Sequence, residues 1–296
     1  MKNKWTPRRK QVNKMKRVLG WKPDLPDHRD LYLKVSRLRV LPSFVDLRKY
    51  CSEVEEQGDI GSCSAQAFVA NMELLDRKAD DKYTDLSRLF VYYNTRDDKG
   101  NDTGGYLRDG IKCLVQYGAC DEKLWEYDPE RFAERPPEIA YKDGLKRRIT
   151  KYERIEGLKG IRQSLADGNP VVFGFSVYEN FNNIGSDGLM FMPSGKNEGG
   201  HAVLTVGYSD KLKVLIVRNS WGAGWGDKGY FYMPYDYITD DLTADFWTIT
   251  MMPILKFVEE NPWQPDLSDA KWYLPITTIW RVIKTIFTWG KRGDPK

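Results

Sequence analysis

Histidine occurs only twice in the 296 residues and cysteine four times, at positions 51, 63, 113 and 120. Thiols so few and so scattered, with no Cys-x-x-Cys pair, exclude a disulfide-stapled scaffold. Two histidines leave a structural zinc site without its usual ligands, and no metal is expected. No run approaches the roughly 18 apolar residues that span a bilayer. The first twenty residues, MKNKWTPRRKQVNKMKRVLG, begin with positive charge but lack the apolar run and small-residue cleavage site of a secretory signal. The expectation is a cytoplasmic protein, peripheral at a membrane surface at most.

Acidic residues are missing from one end and nearly so from the other. Residues 1–17 hold eight Lys/Arg and no acid, and residues 271–296 hold six Lys/Arg and one acid. The body between them carries 32 basic and 41 acidic residues, a balance that argues against nucleic acid as a partner. With 41% hydrophobic and 13% aromatic content, that body can bury a sizeable core.

The segment from Gly20 to Pro42 carries three prolines and mixed charge, and reads as an extended connector rather than a packed element. From Val45 to about Gly118 the pattern is helical: a run after Cys63, then DLSRLFVYYN, then YLRDGIKCLVQYG. LKGIRQSLADG is a further helix candidate. The period then changes. VVFGFSVY, HAVLTVGYSD, KVLIVRNSW, GYFYMPYD and DFWTITMMP are short, rich in β-branched and aromatic residues and bounded by Gly and Asp, as antiparallel strands are. Helices first and strands second predict an α+β chain of two subdomains with a cleft between them.

Cys63 sits where a Gly-Ser turn enters a helix whose buried face is predicted from Ala65, Phe68, Val69, Met72 and Leu75. A helix N-terminus favours a thiolate, the form that attacks carbonyls. A thiol nucleophile also needs a base, a group that orients the base, and donors for an oxyanion. His201, beginning a strand in EGGHAVLTVGY, is the candidate base, with His28 in the proline-rich connector its only competitor. Asn219, in VRNSWGAGWGDKGY, can accept from the imidazole without adding charge. Gln57, six residues before Cys63, offers an amide NH2 to the oxyanion, and Trp221 can shield the His-Asn pair from water. Each has an ordinary alternative when taken singly: a core thiol, a structural histidine, a turn asparagine, a surface glutamine, a core tryptophan.

QGDIGSC, GGYLRDGIKCLVQYG, GGHAVLTVGY and VRNSWGAGWGDKGYFYM, in that order after VDLR, resemble the motifs of the papain-like cysteine peptidases, over about residues 43–250. The resemblance is nearest to the bacterial, archaeal and viral type. It implies a helical left half, an antiparallel β-barrel right half and an active site in the cleft between them. It also implies that Cys63 is the nucleophile, His201 the general base and acid, Asn219 the orienting residue and Gln57 the oxyanion donor. Gly104, Gly105, Leu107, Gly174 and Trp221 would bind substrate, with Gly105 pairing to its backbone and Leu107 and Gly174 forming a tolerant apolar pocket. No cofactor is required. Ile60 stands where the family usually has a cysteine, so the disulfide beside the site cannot form, and Ser64 stands where it usually has Trp. The resemblance leaves pairing of Cys51 with Cys120 open, whereas Cys113 reads as core.

The expected organisation is an N-terminal extension over residues 1–41, a peptidase domain over 42–252 and a C-terminal extension over 253–296. The expected activity is hydrolysis of peptide or protein substrates through a thioester. Acyl transfer and a catalytically silent peptide-binding module on the same fold are the alternatives, separated by product analysis with added nucleophiles and by thiol titration. The basic N-terminal extension is expected to lie across the cleft as an inhibitor, making the chain a zymogen. In the C-terminal extension Ile276, Ile279, Trp280, Ile283, Ile286 and Phe287 recur at helical spacing, an amphipathic helix suited either to packing or to peripheral membrane contact.

Overall fold

The structure, a computed structural model, describes residues 17–36, 38–81 and 84–251. The amphipathic stretch after residue 270 and most of the basic N-terminus, residues 1–16, lie outside them. The elements in chain order are β1 (Trp21–Lys22), β2 (Phe44–Asp46), α1 (Cys63–Asp80), α2 (Arg88–Thr95), β3 (Gly105–Tyr106), α3 (Leu107–Gln116), α4 (Glu138–Gly144), β4 (Lys151–Arg154), α5 (Gly157–Ala166), β5 (Val171–Tyr178), β6 (Asn197–Ser209), β7 (Val214–Arg218), β8 (Tyr230–Pro234) and β9 (Thr243–Thr250). The fold is therefore α+β, helices in the first half and a mostly antiparallel sheet in the second.

Helix α1 starts at Cys63, and Phe68, Val69 and Met72 are fully buried along it. Leu74 completes that face, while Leu75 is only partly covered. The helix stops at Asp81, which takes a left-handed φ of 51° and donates its N–H to Arg77 O. Ser87 caps α2 by accepting the Phe90 N–H. At Gly110 on α3, a Cβ would fall 2.7 Å from the Phe68 ring, so α1 and α3 approach through that position.

The sheet runs in the order β4-β9-β5-β6-β7-β8, with β2 paired to the far end of β6. The thirteen residues of β6 pair first with β5 and then with β7, and ladder shifts at Val177/Tyr178 and Thr205/Gly207 curl the sheet. Among the described residues no ladder joins β4 to β8, so the expected barrel is a curled open sheet. α1 packs against β6 and β5, and the two halves meet along that seam.

A polar pivot fixes the seam. Glu73 on α1 is fully buried and accepts from Arg88 Nη2 (2.8 Å), Ser52 Oγ (2.7 Å) and the Leu86 N–H (3.0 Å). Arg218 on β7 donates to Ser52 O at 2.5 Å and to Ser52 Oγ at 3.1 Å, linking the sheet to the same carboxylate. All four cysteines are free thiols, so Cys51 and Cys120 do not pair, and Cys113 lies in the core.

The proline-rich stretch departs from its reading as an unpacked connector. Trp21 is buried, and Tyr32 and Leu33 pair with Arg154 at the end of β4. The prolines keep the chain extended, but its Trp and Asp side chains find partners across the cleft.

Arg88→Met would strand the Glu73 carboxylate without its charge partner. The expected loss is about 3–5 kcal/mol, read as a lower midpoint in denaturant unfolding.

Candidate active site

Gln57, Cys63, His201 and Asn219 come together in the cleft, all nearly or fully buried. Cys63 is the first residue of α1. The backbone N–H groups of Ala202, Gly20, Ser64 and Cys63 itself face its sulfur and favour the thiolate, but burial is the larger effect and pushes the thiol up. The dipole argument for a thiolate therefore loses in the covered cleft.

His201 lies on β6, opposite Phe175 on β5. Its Nε2–H donates to Asn219 Oδ1 at 2.8 Å, and that oxygen also accepts the Ser220 N–H at 2.9 Å. Nδ1 is buried without a hydrogen bond among the described residues. Burial lowers the imidazole from 6.5 to about 4; the Asn219 bond opposes this and the Arg17 charge adds to it. The Trp221 ring lies 5.0 Å from the imidazole at 31°, backed by Phe181 and Trp225. Those rings keep water from the His-Asn bond.

Gln57 is clamped. Its N–H donates to Ser220 O, its carbonyl accepts from Tyr127 Oη at 2.8 Å, and Ser220 Oγ donates to its Oε1 at 2.6 Å. Its Nε2 donates to Ile60 O at 3.0 Å and, on the cleft side, to Val18 O at 3.1 Å.

Val18 belongs to the segment that covers the site. Gly105 on β3 donates its N–H to Gly20 O at 2.8 Å, and β1 runs parallel to β3. A Cβ at residue 20 would lie 2.0 Å from Gly61 O, and one at Gly104, whose φ is +67°, would lie 2.0 Å from Gly20 O. Three backbones interlock there, and only glycine permits it. Arg17 stacks over Trp221 and pairs with Glu56.

Beyond Gly20 the Trp21 indole covers Gly174 and Gly200 and donates to Asp245 Oδ2 at 3.2 Å. Asp24 accepts the Arg108 N–H and the Trp247 Nε1–H, while Arg108 and Arg154 pair with Asp30. Of the expected substrate contacts, Gly104, Gly105 and Gly174 line the occupied groove, Trp221 sits over the imidazole, and Leu107 is fully buried at the start of α3. Sequence reasoning missed Trp21, Asp24, Arg108, Arg154 and Asp245. A tryptophan inside a proline-rich stretch was the one signal available.

The description "Papain family cysteine protease" matches residues 41–243. The chain belongs to the papain family of cysteine proteases. An uncharacterized peptidase C1-like protein of Acanthamoeba polyphaga mimivirus is 36% identical, the alignment covering 84% of this chain and 93% of that one. Papain of Carica papaya is 29% identical over 64% of this chain and 54% of its own. Among solved structures, xylellain, a cysteine protease from Xylella fastidiosa, aligns with a TM-score of 0.74 at 38% identity, covering 79% of this chain and 96% of that one. The Amb a 11 cysteine protease of ragweed pollen, solved in its proform, aligns at 0.62 and 25% identity over 73% and 69%. This papain-family chain is thus a hydrolase of peptide or protein substrates.

With Cys63 fully covered, the full chain should react slowly with iodoacetamide. Gly20→Ala costs about 1–3 kcal/mol of overpacking at Gly61 and should raise the rate at Cys63 roughly tenfold or more, followed by peptide mass mapping.

Proposed function

We propose that Cys63 hydrolyses peptide bonds through a thioester and that residues 17–30 hold the enzyme latent. The observation that carries the reading is the ordered chain of contacts from Asn219 through His201 toward a helix-terminal thiol, with the Gln57 amide alongside. Asn219 Oδ1 fixes the proton on Nε2, so Nδ1 offers its lone pair to the cleft.

In the reaction, Nδ1 takes the Cys63 proton as sulfur attacks the substrate carbonyl. Gln57 Nε2 and the Cys63 N–H receive the oxyanion. The C–N bond breaks, the amine leaves with the proton from Nδ1, and the acyl group stays on sulfur. Water then loses a proton to Nδ1 and attacks the thioester, releasing the acid and restoring the thiol. Val18 O on Gln57 Nε2 and Gly20 O on Gly105 N–H occupy the donors that a substrate needs. The same segment removes water from Cys63 and His201 and so favours their uncharged forms.

Cys63→Ala and His201→Ala should each abolish peptide hydrolysis, and His28→Ala should leave it intact. Full activity in His201→Ala defeats the assignment. Gln57→Ala should lower kcat by about a hundredfold to a thousandfold, and Asn219→Ala less than His201→Ala, since nucleophile and base remain.

Latency should depend on pH. Asp24 is raised from 3.8 to about 6, first by burial and then by Asp245, against the Arg108 N–H, the Trp247 N–H and the Arg108 charge. Arg154 from β4 and Asp30 from the segment complete the charged surroundings. A released Asp24 regains its ordinary value, so the docked state binds the extra proton. Its contribution to docking is complete below 3.8 and lost as pH rises through about 6. Docking should tighten roughly tenfold from pH 7 to pH 5. The ratio of full-chain activity to that of Asp24→Asn, which cannot titrate, should fall correspondingly on acidification, and a ratio flat across pH 5–7 contradicts it.

A further inference from the structure

Trp21 reports the chemistry of the wall it rests on. Gly174 on β5 and Gly200 on β6 are so close that a Cβ would lie 1.9 Å from indole Cε2 and 2.6 Å from Cε3, respectively. Neither glycine has a positive φ, so backbone conformation does not demand them; the space for a flat ring does. The pair makes a slot for a planar side chain. The neighbouring residue of the segment, Gly20, turns its N–H to the Cys63 sulfur and its carbonyl to Gly105. A peptide laid on Gly105 in the segment's register therefore carries the side chain that follows its Gly105-bonded carbonyl into this slot.

The slot does not end in an apolar floor. Asp245 is 3% exposed and holds a left-handed φ of 57°, a conformation that Asp tolerates better than most residues. On β5, Val172 faces Trp247 while Gly174 faces Ala244, so β9 carries an extra residue at this point. That bulge turns the Asp245 carboxylate into the slot. Arg154 Nη2 holds Oδ1 at 2.6 Å, and Oδ2 accepts the Trp21 Nε1–H and, at 2.7 Å, the Asp24 N–H. A buried carboxylate oxygen that loses its donors is costly, so an occupant lacking an N–H is penalised.

Charge selects among donors. Arg108 and Arg154 both lie over the Trp247 ring, with guanidinium carbons 5.9 Å and 5.1 Å from its centroid. Of the carboxylates that face them, Asp24 and Asp30 belong to the segment itself and leave with it. Among the described residues only Asp245 remains to balance two guanidiniums. The emptied slot is therefore net positive and disfavours Lys and Arg side chains despite its carboxylate.

We infer that the slot filled by Trp21 is a specificity pocket for a neutral, planar side chain bearing a ring N–H, an indole above all, with Asp245 as the specificity-determining residue. The pocket replaces the tolerant apolar one expected at Gly174. This inference rests on the peptidase reading for its substrate, but the pocket's chemistry is testable without turnover.

The test uses the full chain with Trp21→Gly, which removes the plug, in a Cys63→Ala background. Binding of tetrapeptide amides Ala-Xaa-Gly-Ala is measured by calorimetry, with Xaa as Trp, 3-benzothienylalanine (the same bicycle with sulfur in place of N–H), Leu or Arg. The Trp peptide should bind about ten- to a hundredfold tighter than the benzothienyl peptide. It should also bind tighter than the Arg peptide. Adding Asp245→Asn, whose amide N–H2 would face the ring N–H once Arg154 holds the amide oxygen, should erase that gap. The series is repeated with Gly20→Ala, which evicts the segment without opening a hole. Equal binding of Trp and benzothienyl peptides, an Arg peptide that binds as well as Trp, a gap that survives Asp245→Asn, or no binding in either chain overturns the proposal. Selective binding without hydrolysis of the Trp peptide when Cys63 is restored would instead sink the peptidase reading and leave the pocket standing.

Discussion

Everything at the cleft depends on how closely Gly20 approaches Gly61 and Gly104. No side chain separates these backbones, and a single methyl at residue 20 would overlap the Gly61 carbonyl. Because they touch, the Gly20 carbonyl reaches the Gly105 N–H, the Val18 carbonyl reaches the Gln57 amide, and Trp21 is delivered to its slot. Steric fit at one residue thus sets three hydrogen bonds and the burial of Cys63. The contacts farther along, around Asp24 and Asp30, add charge pairing to a register already decided by shape.

The covered cleft also inverts its own electrostatics. Four backbone N–H groups and a helix terminus face the Cys63 sulfur, an arrangement that stabilises a thiolate wherever water can relieve the remaining charge. Under the segment that relief is gone, and burial outweighs the dipoles for the thiol and for the imidazole alike. A neutral thiol beside a neutral imidazole is chemically quiet. Covering the pair acts on its protonation as well as on access to it.

Much of the site was legible because its residue types are rare or sit in ordered motifs. With two histidines in the chain, the choice of base was nearly made by counting, and the glycine-flanked NSWG run pointed to Asn219. The helices after Cys63, at residues 88–95 and at 107–116, and all five strand candidates after residue 170 were visible as periodicity, since each buries one face or both. The short β4 and α4 were not, being too brief and too charged to show a period. Nor was the barrel's failure to close, which depends on ladder ends rather than on any one strand. The connector was misjudged for a physical reason: proline fixes extended backbone but says nothing of what the intervening side chains meet, and the partners of Trp21, Asp24 and Asp30 across the cleft lie 78 to 224 residues away. Asp245 was hidden similarly, because a bulge in β9 places it and local sequence carries no mark of the bulge.

The covalent attachment of residues 17–30 has a kinetic meaning separate from the contacts they make. A tethered occupant competes at an effective concentration set by its linker, on the order of millimolar for short flexible ones, and dilution does not lower it. The fraction of cleft left open is then a property of each molecule alone, identical in a crowded compartment and in a test tube. A free peptide must outcompete that fixed local concentration, so its apparent half-saturation rises in proportion while the limiting rate at saturation is untouched. Severing the chain anywhere between the segment and residue 43 would convert a unimolecular equilibrium into a bimolecular one, and only then would dilution release the enzyme.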